Sequence, residues 1–177
     1  VCTENQHVLN FDCVDCAPGS TNVSGDDASR FNTLCDITYC LENEYVSSNS
    51  CIGCSPGSTN VLGDAATGDD TVCDPILCAE NEFVSSNVCV VCAPGSANVS
   101  GDVATGEDTV CDPILCSENE FVNSNACEGC PAGTTNLAGD EATGSNTVCD
   151  ITYCAENEFV SSNVCVGCPA GTTNLSG

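Results

Sequence analysis

The sequence predicts small disulfide-rich repeats, an elongated linear array of short β-strands and turns with little or no helix. Three observations predict it. Cysteine makes up 19 of 177 residues, a density that marks a disulfide scaffold. Every cysteine falls into one of four columns with a 38-residue period, the mark of a tandem array. No segment carries apolar residues at a 3.6-residue spacing, so nothing reads as a helix of consequence.

The first column is Cys2, Cys40, Cys78, Cys116 and Cys154; the second is Cys13, Cys51, Cys89, Cys127 and Cys165. The third is Cys16, Cys54, Cys92, Cys130 and Cys168, and the fourth is Cys35, Cys73, Cys111 and Cys149. Cut at the period, the chain gives a partial repeat over 1–16, repeats over 17–54, 55–92, 93–130 and 131–168, and a partial repeat over 169–177. A unit this small buries too little apolar surface to fold unaided and needs disulfides, a metal or neighbours. Each offers one aromatic at a fixed position (Tyr45, Phe83, Phe121, Phe159) and a few Val, Ile or Leu. The odd cysteine count is expected of a window from a longer array. It places a free thiol at Cys2, Cys165 or Cys168, depending on the pairing.

The elements follow in order. Residues 1–16 form a degenerate copy, with His7 and Leu9 found in no other. In the tighter copies Glu44-Tyr45-Val46, Glu82-Phe83-Val84, Glu120-Phe121-Val122 and Glu158-Phe159-Val160 are aromatic and β-branched, hence short strands. The Ser-Ser-Asn that follows, as at Ser47-Ser48-Asn49, is a turn. Ahead of the strand, the repeated Glu-Asn-Glu reads as extended, with its two glutamates on one face. After the second Cys of each Cys-x2-Cys comes Pro18-Gly19, Pro56-Gly57 or Pro94-Gly95, then Pro131-Ala132-Gly133 and Pro169-Ala170-Gly171. Proline presets φ and glycine supplies a positive φ, so each is a tight turn. A second short extended piece, such as Ser58-Thr59, precedes a polar loop opened by Gly63-Asp64, and Thr71-Val72-Cys73 brings the chain back.

Charge excludes whole classes of partner. There are 26 acidic residues against one basic residue, Arg30, and a formal net charge of −25. Phosphate backbones need Lys and Arg, so nucleic acid is excluded, as is an anionic membrane surface. No apolar run reaches the length of a membrane span, so no direct membrane insertion is expected of these residues. Such a polyanion stays soluble, repels its own copies at low salt and attracts divalent cations. Catalysis has no candidate residues. His7 is the only histidine, it sits in the degenerate copy, and no phosphate loop, Ser/His/Asp set or lysine accompanies it. The chain is therefore not expected to be an enzyme or to hold an organic cofactor. Calcium is the one ion the acids suit. Asp64 and Asp70, with their counterparts Asp102 and Asp108, are the candidate ligands, although the spacing is not that of an EF-hand. A local role competes, since an aspartate after a glycine can hydrogen-bond the turn backbone.

Asn22-Val23-Ser24, Asn98-Val99-Ser100 and Asn174-Leu175-Ser176 are N-linked sugar acceptors in one column of alternate repeats. Asn60 and Asn136 keep the asparagine but lose the hydroxyl. Covalent glycan at Asn22, Asn98 and Asn174 is expected of a secreted protein.

The spacing Cys51-x2-Cys54-x18-Cys73-x4-Cys78 also suits a zinc ribbon. The lack of basic residues and the sugar signals favour disulfides and an extracellular or cell-surface location. Cys130-Pro131-Ala132-Gly133-Thr134, with loops ending Asp70-Thr71-Val72-Cys73-x4-Cys78, resembles the cysteine-rich modules of tumour-necrosis-factor and ephrin receptors. It looks more like the repeats of large extracellular proteins of protists and algae, including ciliate immobilisation antigens. The resemblance spans the chain. Carried over, the receptor pairing is crossed: Cys13–Cys35, Cys16–Cys40, Cys51–Cys73, Cys54–Cys78, Cys89–Cys111, Cys92–Cys116, Cys127–Cys149 and Cys130–Cys154. The receptor pattern has a further cysteine beside the one matching Cys51, and this chain lacks it. A sequential pairing, Cys40–Cys51 with Cys54–Cys73, therefore stays open.

Near-identical repeats favour regular self-packing. The expected function is structural: a secreted, glycosylated fibre, filament or surface coat whose partner is itself, through further repeats or lateral copies. The alternative is a receptor, adhesin or antigen ectodomain.

Overall fold

The computed structural model describes residues 1–177. It contains no helix, and its strands are short. In chain order they are β1 (Gln6–Leu9), β2 (Asp12–Asp15), β3 (Ser20–Thr21), β4 (Asp36–Ile37), β5 (Glu44–Ser47), β6 (Ser50–Gly53), β7 (Ser58–Thr59), β8 (Asp74–Pro75) and β9 (Glu82–Ser85). They continue with β10 (Val88–Val91), β11 (Ser96–Ala97), β12 (Asp112–Pro113), β13 (Glu120–Asn123), β14 (Ala126–Gly129), β15 (Thr134–Thr135), β16 (Asp150–Ile151), β17 (Glu158–Ser161) and β18 (Val164–Gly167). Each strand pairs with the next, giving nine two-stranded sheets. The chain is a tandem set of small disulfide-rich strand-and-turn repeats. Contacts gather it into two compact units. One is Val1–Cys78 with Val84–Cys89 and Gly101–Asp108; the other is Ala79–Phe83 with Val90–Ser100 and Thr109–Gly177.

One repeat explains the rest. In the β5–β6 hairpin Glu44 pairs with Gly53, Tyr45 with Ile52, Val46 with Cys51 and Ser47 with Ser50. Its two-residue loop is Ser48-Asn49, with φ of 49° and 58°. Two positive φ values in a two-residue loop give the primed turn whose twist matches antiparallel strands. Asparagine tolerates that conformation well, and serine lacks the β-branch that would forbid it. At Pro56-Gly57 the Ser58 amide donates to the Ser55 carbonyl at 3.1 Å, and Gly57 has φ +80°. This is the proline–glycine turn the sequence predicts. It turns the chain into β7, which pairs with β8 in the register Ser58 with Pro75 and Thr59 with Asp74.

The Glu-Asn-Glu stretch is not extended. Asn43, Asn81, Asn119 and Asn157 have φ between 63° and 66°, and the Glu44 amide donates back to the Leu41 carbonyl at 3.1 Å. The cause is the asparagine, which enters the left-handed region where glutamate does not. Glu44 then turns back on the loop, its Oε2 accepting the Leu41 amide at 2.9 Å. The two glutamates therefore do not share a strand face.

The structure pairs the cysteines sequentially. The bridges are Cys2–Cys13, Cys16–Cys35, Cys40–Cys51, Cys54–Cys73, Cys78–Cys89, Cys92–Cys111, Cys116–Cys127, Cys130–Cys149 and Cys154–Cys165. Cys168 is the free thiol. The crossed set Cys13–Cys35, Cys16–Cys40, Cys51–Cys73, Cys54–Cys78, Cys89–Cys111, Cys92–Cys116, Cys127–Cys149 and Cys130–Cys154 is thereby corrected. The reason lies in strand alternation. Cys51 stands opposite Val46, so both side chains lie on one face. That face is the core, where Val46 is fully buried and Cys40 is 2 % exposed. Cys51 meets Cys40 there, with Cα atoms 5.3 Å apart. Cys54 lies three residues further on, and an odd step reverses the face. It meets Cys73 where the polar loop returns, with Cα atoms 5.8 Å apart.

This pairing keeps the 38-residue period but moves its phase. Boundaries at 17–54, 55–92, 93–130 and 131–168 separate Cys16 from Cys35 and Cys54 from Cys73. The bridges instead enclose Cys2–Cys35, Cys40–Cys73, Cys78–Cys111 and Cys116–Cys149, with no bridge running from one to the next.

The core of each repeat is thin. Its members are the first-column cysteine, one valine (Val8, Val46, Val84, Val122) and, from the second repeat on, one alanine (Ala66, Ala104, Ala142). Tyr45, Phe83 and Phe121 are only half-buried. Each buried alanine belongs to one repeat and sits on the Pro-Gly turn of the repeat before it. Within the first unit, the Ala66 amide donates to Thr38 O at 2.8 Å and the Ala104 amide to Ile76 O at 2.9 Å; within the second, Ala142 donates to Ile114 O at 2.8 Å. A side chain of the same repeat braces each alanine: Asn49, Asn87 and Asn125 each donate Nδ2 to the alanine carbonyl at 2.9 Å.

Candidate functional site

The side chains with the most chemistry per repeat are the acids and amides of the polar loop, and the fold gives most of them structural partners. Asp64 Oδ2 accepts the Thr71 hydroxyl at 2.7 Å and Asn60 Nδ2 at 2.8 Å. Asn60 Nδ2 also donates to the Glu44 carbonyl at 2.8 Å. Thr71 Oγ1 in turn accepts the Val46 amide at 2.9 Å, and the Thr71 amide donates to Val46 O at 3.0 Å. This Asn-Asp-Thr clasp ties the loop to the buried valine. It recurs as Asn136-Asp140-Thr147, with bonds of 2.8 Å and 2.6 Å to the carboxylate, and as Asn22-Asp26-Thr33.

The clasp shifts the acids. The threonine hydroxyl first and the asparagine amide second hold Asp26, Asp64 and Asp140 below the usual carboxylate range, against a smaller opposing effect of desolvation. Asp27 is lowered too, by the Ser29 hydroxyl and amide. A group whose pKa is lower folded than unfolded stabilises the fold above its unfolded value, and loses that contribution as pH falls. Stability should therefore be level from pH 7 to about 5 and decline below the ordinary aspartate value of about 3.9. Asp64→Asn should flatten that decline, and Thr71→Val should cost about 1–3 kcal/mol at pH 7 by orphaning the Val46 amide. Denaturant unfolding across pH with the bridges intact checks both; an acid decline unchanged in Asp64→Asn would remove the clasp from the account.

The expected calcium set is placed differently. Asp64 is occupied by the clasp, and Asp70 Oδ1 accepts the Ser48 amide of the hairpin turn at 2.8 Å. Asp108 does the same for the Ser86 amide at 2.8 Å. The Asp102 backbone carbonyl accepts the Cys78 amide at 2.8 Å. For Asp64, Asp70 and Asp108 these are the local roles that an acid in a turn can fill. The metal-competent groupings that the fold does assemble are other ones: His7 with Cys16 and Cys35, Cys40 with Glu44 and Cys51, and Cys154 with Glu158 and Cys165. In all three the two sulfurs are joined in a bridge.

The acceptor asparagines share the clasp column. Asn22 Nδ2 donates to Gln6 O at 2.8 Å and to Asp26 Oδ2 at 2.7 Å. Asn98 Nδ2 donates to Glu82 O, and Asn174 Nδ2 to Glu158 O, both at 2.8 Å. The clasp explains why Asn60 and Asn136 keep the asparagine without the serine. A sugar on Nδ2 replaces one of its two hydrogens, so at Asn22 it displaces one of these bonds.

Two further features escaped the sequence reading. The first is a set of apolar columns that point outward. Val23, Val61, Val99, Leu137 and Leu175 are 76–84 % exposed. Leu34, Val72, Val110 and Val148 are 74–85 % exposed. Apolar identity at every copy was visible; outward orientation was not. The second lies in the first repeat, where Phe11, Arg30 and Phe31 line one shallow depression. Phe11 is 70 % and Phe31 90 % exposed. Their counterparts are Asn49 and Asp69, so this patch belongs to the first repeat alone.

No helix is long and apolar enough to cross a membrane. Nine bridges in one chain are characteristic of an extracellular or secreted protein. Compared with protein-family models, curated proteins and solved structures, the chain matches none.

Proposed function

We propose that the chain is part of an extracellular structural protein whose repeats pack against other copies of themselves in a fibre, filament or surface coat. The observation that carries this reading is the set of outward apolar columns. Val61, Val72, Val99 and Val110 are each more than 70 % exposed, and each stands in a column that is apolar in every repeat. A position that contributes nothing to its own core, yet stays apolar in each copy, suits a repeated contact with another surface. The three buried columns are accounted for by the core of each repeat and its packing on the preceding turn; these are not. The reading includes no catalysis, no nucleic acid and no resident cofactor. Glycan at Asn22, Asn98 and Asn174 belongs to it as surface modification. The resemblance to protist and algal surface repeats supports the same class.

Charge sets the conditions of assembly. With a net charge of −25, lateral contact is opposed at low ionic strength and eased as the Debye length contracts from about 30 Å at 0.01 M to about 8 Å at 0.15 M salt. Electron microscopy of native material across that range should show filaments with a regular axial spacing that appear or thicken with salt. Val61→Asp with Val99→Asp should prevent them without unfolding the chain. Dispersed particles at every ionic strength, or filaments indifferent to both substitutions, would overturn the proposal. A calcium bridge between polyanions would show as loosening by chelator.

A second reading is favoured by one observation. Exposed aromatic side chains beside an arginine are the usual anchors of a binding interface, and Phe11, Phe31 and Arg30 supply that set in the first repeat. The Arg30 Nε lies 3.2 Å from Asp27 Oδ2, an exposed pair. Such a pair is worth roughly 0–1 kcal/mol and leaves the guanidinium available to a partner. Dispersed particles that bind a cell surface through this patch would move the assignment to a receptor, adhesin or antigen.

A further inference from the structure

Four bridges in this protein occupy the same place in four repeats: Cys16–Cys35, Cys54–Cys73, Cys92–Cys111 and Cys130–Cys149. They share one Cα separation, 5.8 Å, and both sulfur-bearing residues are half-buried in each. One thing distinguishes them. The strand residue at the repeat's aromatic position is Tyr45, Phe83 or Phe121 in three copies and His7 in the first. His7 Nδ1 lies 3.3 Å from Cys35 Sγ, and the ligand-capable atoms of His7, Cys16 and Cys35 all lie within 4.8 Å of one another. In the second repeat the corresponding ring, Tyr45, lines a groove with Cys73 and offers no ring nitrogen. Histidine here replaces an apolar ring with a hydrogen-bonding one at a sulfur.

We propose that Cys16–Cys35 is a thiol-exchange site: the one of these four bridges that a small extracellular thiol of the glutathione class opens first, leaving a mixed disulfide on Cys16. The proposal goes beyond the structural reading and does not depend on assembly. The step follows from which sulfur the imidazole touches. A thiolate attacks Cys16 Sγ in line with the S–S bond. The new bond joins the incoming sulfur to Cys16, and the electron pair of the broken bond passes to Cys35 Sγ. A ring N–H at Nδ1 donates to that developing thiolate. A thiolate stabilised by an adjacent imidazole is a better leaving group, and exchange is faster the more stable the leaving thiolate. A second thiolate can then release Cys16, so that two small-molecule thiols are oxidised to their disulfide while the protein pair is reduced by two electrons. The other three bridges have no such donor and must expel an unassisted thiolate.

The same repeat architecture supplies the controls. The full chain carrying Cys168→Ser, to remove its own free thiol, is incubated with reduced glutathione at pH 7, quenched in acid and labelled with an alkylating reagent. Peptide mass spectrometry then reads each site. The expected result is glutathione on Cys16 and alkyl label on Cys35, appearing on the order of 3–10 times faster than opening at Cys54–Cys73, Cys92–Cys111 or Cys130–Cys149. His7→Phe gives the first repeat the residue that the third and fourth already carry, so it is compatible with the fold. It should bring Cys16–Cys35 down to the rate of the other three. Equal rates in all four bridges of the histidine-bearing protein would overturn the proposal. So would a rate advantage that survives His7→Phe, which would assign it to looseness of the first repeat. Glutathione on Cys35 with the label on Cys16 would overturn the direction of the step.

Discussion

With Cys40 and Cys51 both replaced by alanine, the repeat they enclose should lose its fold while repeats remote from it keep theirs. The bridge closes a short loop, with a sequence separation of 11. In the chain-entropy account such a loop contributes about 3 kcal/mol by restricting the unfolded chain. Cys40 also supplies one of only three buried apolar side chains in its repeat, with Val46 and Ala66, so its truncation removes packing as well. A unit of this length holds roughly 2–5 kcal/mol, at about 0.05–0.15 kcal/mol per residue. The loss therefore matches the whole stability of the repeat. Hydrogen exchange reads it directly: the Val46 amide, bonded to Thr71 Oγ1, should exchange at the rate of an open chain, and the Val122 amide, bonded to Thr147 Oγ1, should stay protected. Unchanged protection at Val46 would mean that neighbours, not sulfur, hold each repeat.

The pairing has its own check, made possible by the scarcity of cations. Arg30 is the only Lys or Arg in the chain, and Gly53 is exposed with open space where a Cβ would stand. Gly53→Lys thus gives trypsin two sites. With sequential bridges, cleavage after residue 53 releases 1–53 from 54–177 in denaturant without reductant, and the nick at Arg30 stays closed by Cys16–Cys35. Crossed bridges would hold the two pieces together until reductant is added.

What the sequence made legible was whatever depends on local spacing. The cysteine columns set the period, Glu-Tyr/Phe-Val marked a strand, and Pro56-Gly57 marked a turn, because each is decided within four or five residues. The pairing was not legible, because it depends on which face of β6 carries Cys51. That becomes fixed only when the Ser48-Asn49 turn sets the register that puts Cys51 opposite Val46. The missing extra cysteine beside Cys51 was the available clue. The clasp was half legible. Asn60, Asp64 and Thr71 recur at fixed spacing as Asn22, Asp26 and Thr33 and as Asn136, Asp140 and Thr147. The same three side chains also spell a sugar acceptor and a cation ligand, and only their mutual distances separate those roles from a hydrogen-bonded tie. Ala66 gave no signal at all. A small residue in a polar loop becomes core only because the turn of the preceding repeat lies under it.

That contact carries the other large effect. Gly57→Ala should destabilise the first unit by about 2–5 kcal/mol, from two separable causes. Gly57 has φ +80°, which costs a residue with a Cβ about 1–2 kcal/mol. Its Cβ would also stand 2.4 Å from Ala104 O, 2.5 Å from Ala104 C and 2.8 Å from Thr105 N. These are backbone atoms and cannot swing aside, so the next repeat's loop must move, at about 1–3 kcal/mol for an overpacked contact. Two other glycines divide the causes. Gly63 has φ +110° with nothing within 4 Å of its Cβ, so Gly63→Ala should show the conformational cost alone. Gly53→Ala meets neither obstacle and should fall within about 0.5 kcal/mol of the parent. Denaturant midpoints that place Gly57→Ala no lower than Gly63→Ala would show that the Ala104 loop is not pressed on the turn. If instead the midpoint drops further, hydrogen exchange should quicken at Ala104, in the repeat after the substitution, because its amide bond to Ile76 O closes over the same turn. Stability would then pass from repeat to repeat through one glycine and one alanine, as nearest-neighbour coupling in a repeat protein requires.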